Sequence, residues 1–306
     1  MIFATEFVCT MMGGSASALF KCSDNRYYVV KDQDSRSCDG LLSTRFLAGK
    51  LARWVGLPVP EVEIIQVDQW LIDHSPELSR ITAKPWMPDR SAEMNGHVPT
   101  IRPKRSGGLQ LGSRYLAETA QGRIFDYFPE KMLSKVRNLN TFAGILVFDL
   151  WTNKLGTRKA VFWRAGLETH YTVAFIDLEE RLLPTQFRDW DCAFDPTKVS
   201  LYAHKAVYQH ITEWNDFEPF LSRVEAIDMA TIEGLAAQVP KYWHGMHALL
   251  RRLQERKTTV RGLLLKCLTA NPEIFPNWGN EKPASGRKHA RRCSDLDTGA
   301  ASRALC

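Results

Sequence analysis

The alternation of apolar and polar positions divides the chain into a strand-rich first part and a helix-rich second part. Tyr27–Lys31 (YYVVK) is a short aromatic and β-branched run with the length of a strand. Leu41–Val55 places Leu42, Phe46, Leu47, Leu51 and Trp54 on one helical face, and Gly56 followed by Pro58 stops it. Val62–Val67 (VEIIQV) reads as a second strand, and Leu109–Tyr115 (LQLGSRY) as a third that runs into a connector. Between them, Asp89–Gly108 mixes Pro, Gly, Lys and Arg without a period, as a surface insertion would. Asn138 or Asn140 is placed to cap a helix running to about Trp151. Ala160–Trp163 and Tyr171–Ile176 form a hairpin around Gly166. Helical spacing returns at Tyr202–Trp214, Pro219–Ile227, Thr231–Val239 and His244–Cys267, and Pro272–Phe275 closes the folded part.

Composition narrows the classes. The 306 residues are 44% hydrophobic and 24% charged, the balance of a globular protein of one large or two ordinary domains. The net charge of +6 is modest, and half of it lies in the polar stretch 277–306, which is expected to be disordered. That leaves too little charge on the body to argue for nucleic acid. Seven cysteines are scattered without a C-x-x-C pair or zinc spacing, which fits reduced thiols in a cytoplasm. The longest apolar run, Phe142–Phe148, ends at Asp149, far short of the roughly 20 residues of a membrane span. No basic residue precedes Lys21, so no signal peptide is expected.

Three stretches point to phosphate chemistry. Met12–Ser17 (MGGSAS) is a small-residue loop whose backbone N–H groups could approach phosphates, and Lys31 at a strand end could reach them as a point charge. Alone, this reads more simply as an ordinary hairpin with a surface lysine. The second stretch is a succession: a helix ending in Phe148-Asp149-Leu150-Trp151, the polar loop Thr152–Lys159, the hairpin, and Asp177 directly after an apolar strand. Kinase-like folds use this order to place a loop base and a metal-holding Asp, although a strand-ending Asp in a turn is an equal alternative for Asp177 taken alone. The third is Leu41–Val55, which carries Arg45, Lys50 and Arg53 but no acid to pair with a strand lysine. His204, His210, His244 and His247 lack the spacing of a ligand pair, and Trp190, Trp214 and Trp243 read as core. The basic stretch at 251–257 alternates with apolar positions as a solvated helix face does.

MGGSASALF, the VVK lysine, FLAGKLARWVGLPVPEVEI, LQLGSRY, VFDLWTNKLGTRKAVFWR with FID, and VYQHITEWNDFEPFLSRVEAI together resemble HipA-like kinases, in order and spacing, over roughly residues 8–276. The resemblance implies an α+β, bilobal protein-kinase-like fold: a small mixed β/α N-lobe over 1–114, a mainly helical C-lobe over 115–276, and a basic tail over 277–306. It implies ATP with Mg²⁺ in an inter-lobe cleft and phosphoryl transfer to a protein serine or threonine, in a bacterial cytoplasm. Carried over by position, Gly13, Gly14 and Ser15 fall on the phosphate loop, Lys31 on the strand lysine and Asp177 on the metal-binding Asp. Gly112, Ser113 and Arg114 fall at the hinge that reads adenine. Asn153 and Arg158 fall in the catalytic loop. That loop departs from the family: Gly156 stands at the expected Asp position and Lys154 at an Asn position. A glycine cannot accept a hydroxyl proton, so Asp149 or another acid would have to substitute, or the chain is a catalytically impaired pseudokinase.

Overall fold

The computed structural model describes residues 1–11, 17–31, 41–79, 106–117, 122–154, 158–178, 195–198, 201–239 and 246–279. Five strands close a small barrel in the order β1-β2-β3-β5-β4. They are β1 (Ile2–Thr10), β2 (Ser17–Cys22), β3 (Tyr27–Lys31), β4 (Val62–Val67) and β5 (Gly108–Arg114). All neighbours are antiparallel except β1 with β4. Alternation on β3 sends Tyr28 and Val30 inward against Phe20, Ile65 and Val67. Gly112 on β5 is buried in this wall, where a Cβ would stand 2.5 Å from Ile65 Cγ1. Closure leaves no open sheet edge.

Helix α1 (Leu41–Val55) follows β3, and Leu47, Ala48, Leu51, Ala52 and Val55 bury in the core of the second lobe. Phe46 and Leu42 of the same helix pack with Val62 and Leu111 of the barrel, so α1 lies between the barrel and the later residues. The helix ends in a Schellman turn: Leu57 N–H donates to Ala52 O and Gly56 N–H to Arg53 O, with Gly56 at φ 88°. Arg223 closes the turn by donating to Val55 O at 2.9 Å, and it passes where a Cβ on residue 56 would lie. Two short helices, α2 (Gln69–Asp73) and α3 (Pro76–Ser79), pack on β1.

The second lobe is built around α4 (Thr141–Thr152), whose twelve residues are all buried. A helix apolar on every side has to be enclosed on every side. A three-stranded sheet of β6 (Arg123–Phe125), β7 (Lys159–Arg164) and β8 (Thr172–Ile176) lies beside it, with α5 (Glu218–Ala226), α6 (Met229–Ala236), α7 (Met246–Lys257) and α8 (Val260–Ala270) forming the rest. Trp151 ties α4 to α7 through Nε1–H to Leu253 O at 2.9 Å. The three cysteines among the described residues, Cys9, Cys22 and Cys267, are free thiols, and burial pushes Cys22 and Cys267 up to about 12.

Several expectations need correction. Neither asparagine caps α4 with its side chain: Asn140 is already helical, and Asn138 exchanges two hydrogen bonds with the Val173 backbone, which fixes the helix start against β8. Tyr202–Trp214 is not a helix but two 3₁₀ turns, Lys205–His210 and Trp214–Asp216, because its aromatic spacing serves tilted and edge-on contacts of Tyr202 and Tyr208 with Phe142. The long helix expected to Cys267 breaks at Thr258 and Thr259, whose hydroxyls donate back to Glu255 and Arg256 carbonyls. The folded body does not end before Asn277: Asn277 donates to Gln209 O, and Trp278 packs on Trp214 and Phe217. The rest of the tail, Trp190, Trp243, His244 and residues 89–105 lie outside the described residues. In the 251–257 stretch, Arg251, Arg252 and Glu255 are exposed, as a solvated helix face requires, while Arg256 donates to Leu150 O and Lys257 to Ile227 O.

Arg261 on α8 holds Glu218 and Glu225 of α5 in paired hydrogen bonds of 2.5–2.9 Å. The hydrogen bond from Arg261 pulls the Glu218 carboxyl down to about 2. A carboxyl lowered in the folded state contributes stability that is complete above its unfolded value near 4.5 and is lost as pH falls toward 2. Thermal melts of the natural chain and Arg261→Met should therefore differ at pH 6 and converge between about pH 4.5 and 2. A difference independent of pH would mean the arginine acts by packing alone.

Candidate nucleotide cleft

A cleft of about 620 Å³ opens between barrel and second lobe. Val29, Val62 and Leu111 line it from the barrel, and Ile124, Val161, Phe175 and Ile176 from the second lobe. An apolar slot with polar groups at one end suits a flat aromatic ligand carrying charge. Ser113, Arg114 and Tyr115 sit on its wall, and Asp126, Tyr127 and His204 border it, with the Tyr127 and His204 rings 4.7 Å apart.

The charged end is assembled from three strand ends. Lys31 closes β3, Lys159 opens β7, and Asp177 follows β8. Register brings the last two together, since Lys159 pairs with Ile176 across β7 and β8. Lys31 Nζ donates to Asp177 Oδ1, and Lys159 Nζ donates to Asp177 Oδ2 at 2.8 Å. Asp177 sits at φ 54°, a left-handed conformation that is uncommon for a residue with a side chain. Such outliers concentrate at functional sites. Burial alone would raise the Asp177 carboxyl. The Lys31 charge and the Lys159 hydrogen bond outweigh it and hold the group below its usual value.

Asp149 and Arg158 form a separate unit. Arg158 Nε donates to Asp149 Oδ2 at 3.1 Å, and Nη2 donates to Oδ1. The side chains are 5% and 1% exposed. Asp149 is therefore not presented to the cleft as a base; it is the partner of a buried guanidinium. Arg158 borders the cleft, and its Nη1 is buried without an acceptor among the described residues. Arg45, on the first turns of α1, also borders the cleft, and its Nε is likewise without an acceptor among the described residues. Asn153 ends α4 at φ 56°, where asparagine is tolerated, and its N–H donates to Asp149 O.

The expected residues thus separate. Lys31, Asp177, Arg158, Ser113 and Arg114 meet at the cleft. Gly112 faces barrel packing instead, because its missing side chain admits Ile65 and Tyr28. Gly13, Gly14, Ser15 and Gly156 lie outside the described residues. Lys159 and Arg45 are additions. A lysine directly across a hairpin from the residue before Asp177 was the available signal for the first.

A divalent cation fits this donor set poorly. Asp177 has both oxygens engaged by ammonium groups, and among the described residues no three His, Cys, Asp or Glu side chains gather as a metal site.

Comparison with known proteins agrees with this architecture. Residues 6–97 match the family model described as HipA-like kinase. No curated protein matches the chain. Among solved structures, the Helicobacter pylori proinflammatory kinase CtkA is similar with a TM-score of 0.52 at 12% identity, over 87% of this chain and 95% of that one. Hydra Fam20 with sugar gives 0.53 at 11% identity, over 88% and 86%. The Golgi casein kinase with Mn/ADP bound gives 0.50 at 10%, over 87% and 74%. No described helix is long and apolar enough to cross a membrane. The chain accordingly resembles the HipA-like kinases through residues 6–97 and has a protein-kinase-like, α+β fold across most of its length.

Proposed function

We propose that the cleft binds a nucleotide such as ATP and that phosphoryl transfer from it is strongly impaired. The observation that carries this reading is the meeting of Lys31 and Asp177 across an apolar slot at the lobe junction. The slot suits a base, and the lysines and arginines at its end suit phosphates. The Golgi casein kinase structure with Mn/ADP supports nucleotide as the ligand class. Impairment follows from Gly156 at the loop's acidic position and from the burial of Asp149 against Arg158. A positioned base contributes about 10²–10⁴-fold, so its loss leaves a binding module of kinase-like shape.

An active serine/threonine kinase acting on a protein hydroxyl is the second reading, favoured by the same convergence of strand lysine and post-strand aspartate. One pair of measurements decides. ATP at a hundredfold excess over its Kd should stabilise the chain by about 2.7 kcal/mol in thermal melts. Labelled γ-phosphate incorporation should be no greater for the natural chain than for Asp177→Asn. No thermal shift with ATP or ADP removes the nucleotide reading. Incorporation at least about a hundredfold above Asp177→Asn establishes the active kinase.

A further inference from the structure

Resting on the nucleotide reading, we infer that the phosphates are held without a divalent cation, the ammonium groups of Lys31 and Lys159 taking the cation's place. A cation that bridges phosphates to a protein needs carboxylate oxygens with lone pairs directed at it. Asp177 is the carboxylate placed for that task, and each of its oxygens accepts from a lysine. A dication on either oxygen would have an ammonium group as its immediate neighbour, and like charges at that separation repel strongly in a partly buried site. The Asp177 side chain is 14% exposed, so water screens little of this.

The surroundings supply what a cation would. Arg45 borders the same cleft from α1, the helix that carries no acid, and its buried Nε has no acceptor among the described residues. Arg158 adds a second buried guanidinium nitrogen of the same kind at the cleft wall. Asp149 balances Arg158, so among the described residues that line the cleft Lys31, Lys159 and Arg45 stand against two carboxylates, Asp177 and Asp126, and only Asp177 is bonded to the lysines. An ammonium group carries three donors, so a lysine can hold Asp177 and a phosphate oxygen together. Asp177 gathers the two lysines at the cleft and takes up one donor of each, in competition with the phosphates. The excess of positive charge offsets a polyphosphate directly, without the exchange of hydration shells that Mg²⁺ demands.

The test is isothermal titration calorimetry of the full chain with ATP, once in excess EDTA and once with Mg²⁺. Affinity in EDTA should equal or exceed that with Mg²⁺. Asp177→Asn removes the carboxylate that engages both lysines, so it should bind ATP in EDTA about threefold to tenfold more tightly. Lys159→Met, whose native side chain is half exposed and whose loss the fold should tolerate, should weaken binding in EDTA by about tenfold or more. Binding that appears only with Mg²⁺, or that Asp177→Asn abolishes, overturns the cation-free site and leaves the nucleotide reading standing. Absence of ATP and ADP binding in both buffers overturns the nucleotide reading and this inference with it.

Discussion

Arg158→Met is expected to lower the unfolding free energy by about 3–5 kcal/mol, the cost of leaving one charge of a buried pair without its partner. Asp149 would be left at 5% exposure with neither of the hydrogen bonds that Arg158 donates. Asp149→Asn should cost a similar amount, because the guanidinium would then be the uncompensated charge. Replacing both, as Asp149→Leu with Arg158→Met, should recover much of the loss, since apolar pairs of similar volume often match a buried ion pair. Urea unfolding of the four proteins checks this. Single-variant losses under about 1 kcal/mol would place the pair in the class of surface bridges and reopen Asp149 as a solvent-reachable acid.

Lys31→Met is the second large effect, and it acts on two quantities at once. ATP affinity should fall by about 1.5–3 kcal/mol, the range for a hydrogen bond to a charged group, or roughly ten- to a hundredfold. Stability should fall as well, because Asp177 would retain only the half-exposed Lys159 as partner. The double variant Lys31→Met with Asp177→Asn separates the two. Stability should return toward that of the natural chain, while affinity stays below that of Asp177→Asn alone. Affinity unaffected by Lys31→Met would show that the lysine belongs to the fold and not to the ligand.

Much of the barrel lobe was legible because its elements are local. β3, α1 and β4 have the bounds that β-branched runs, a helical period and the Gly56-Leu57-Pro58 stop prescribe. β1 escaped because its residues alternate weakly and stay largely exposed, so only its pairing with β2 and β4 makes it a strand. The aromatic segment from Tyr202 failed for the opposite reason. Its spacing fits a helix, but Tyr208 hydroxyl accepts from the Tyr202 N–H, and ring packing on Phe142 governs the backbone.

At the site, residue identity was legible and pairing was not. Lys31 and Asp177 could be singled out from order and spacing, as could the missing acid on α1, and Arg158 from the family resemblance. That Arg158 pairs with Asp149, nine residues earlier and buried on α4, is a contact that spacing does not fix. That Lys159 reaches Asp177 depends on hairpin register, where a shift by one residue would have sent it to the other face.

The attachment of α1 has a kinematic consequence. One flank of the helix is set into the second lobe's core, its last carbonyl is held by Arg223, and the following segment is fastened where Phe175 N–H donates to Pro58 O at 2.8 Å. Its other flank touches the barrel, with Gly49 so close to Val62 that a Cβ would stand 2.6 Å from it. A helix fastened on both flanks is a common support for the two lobes: a side chain added at residue 49 would have to push the barrel wall off α1, carrying Lys31 on β3 away from Arg45 on α1.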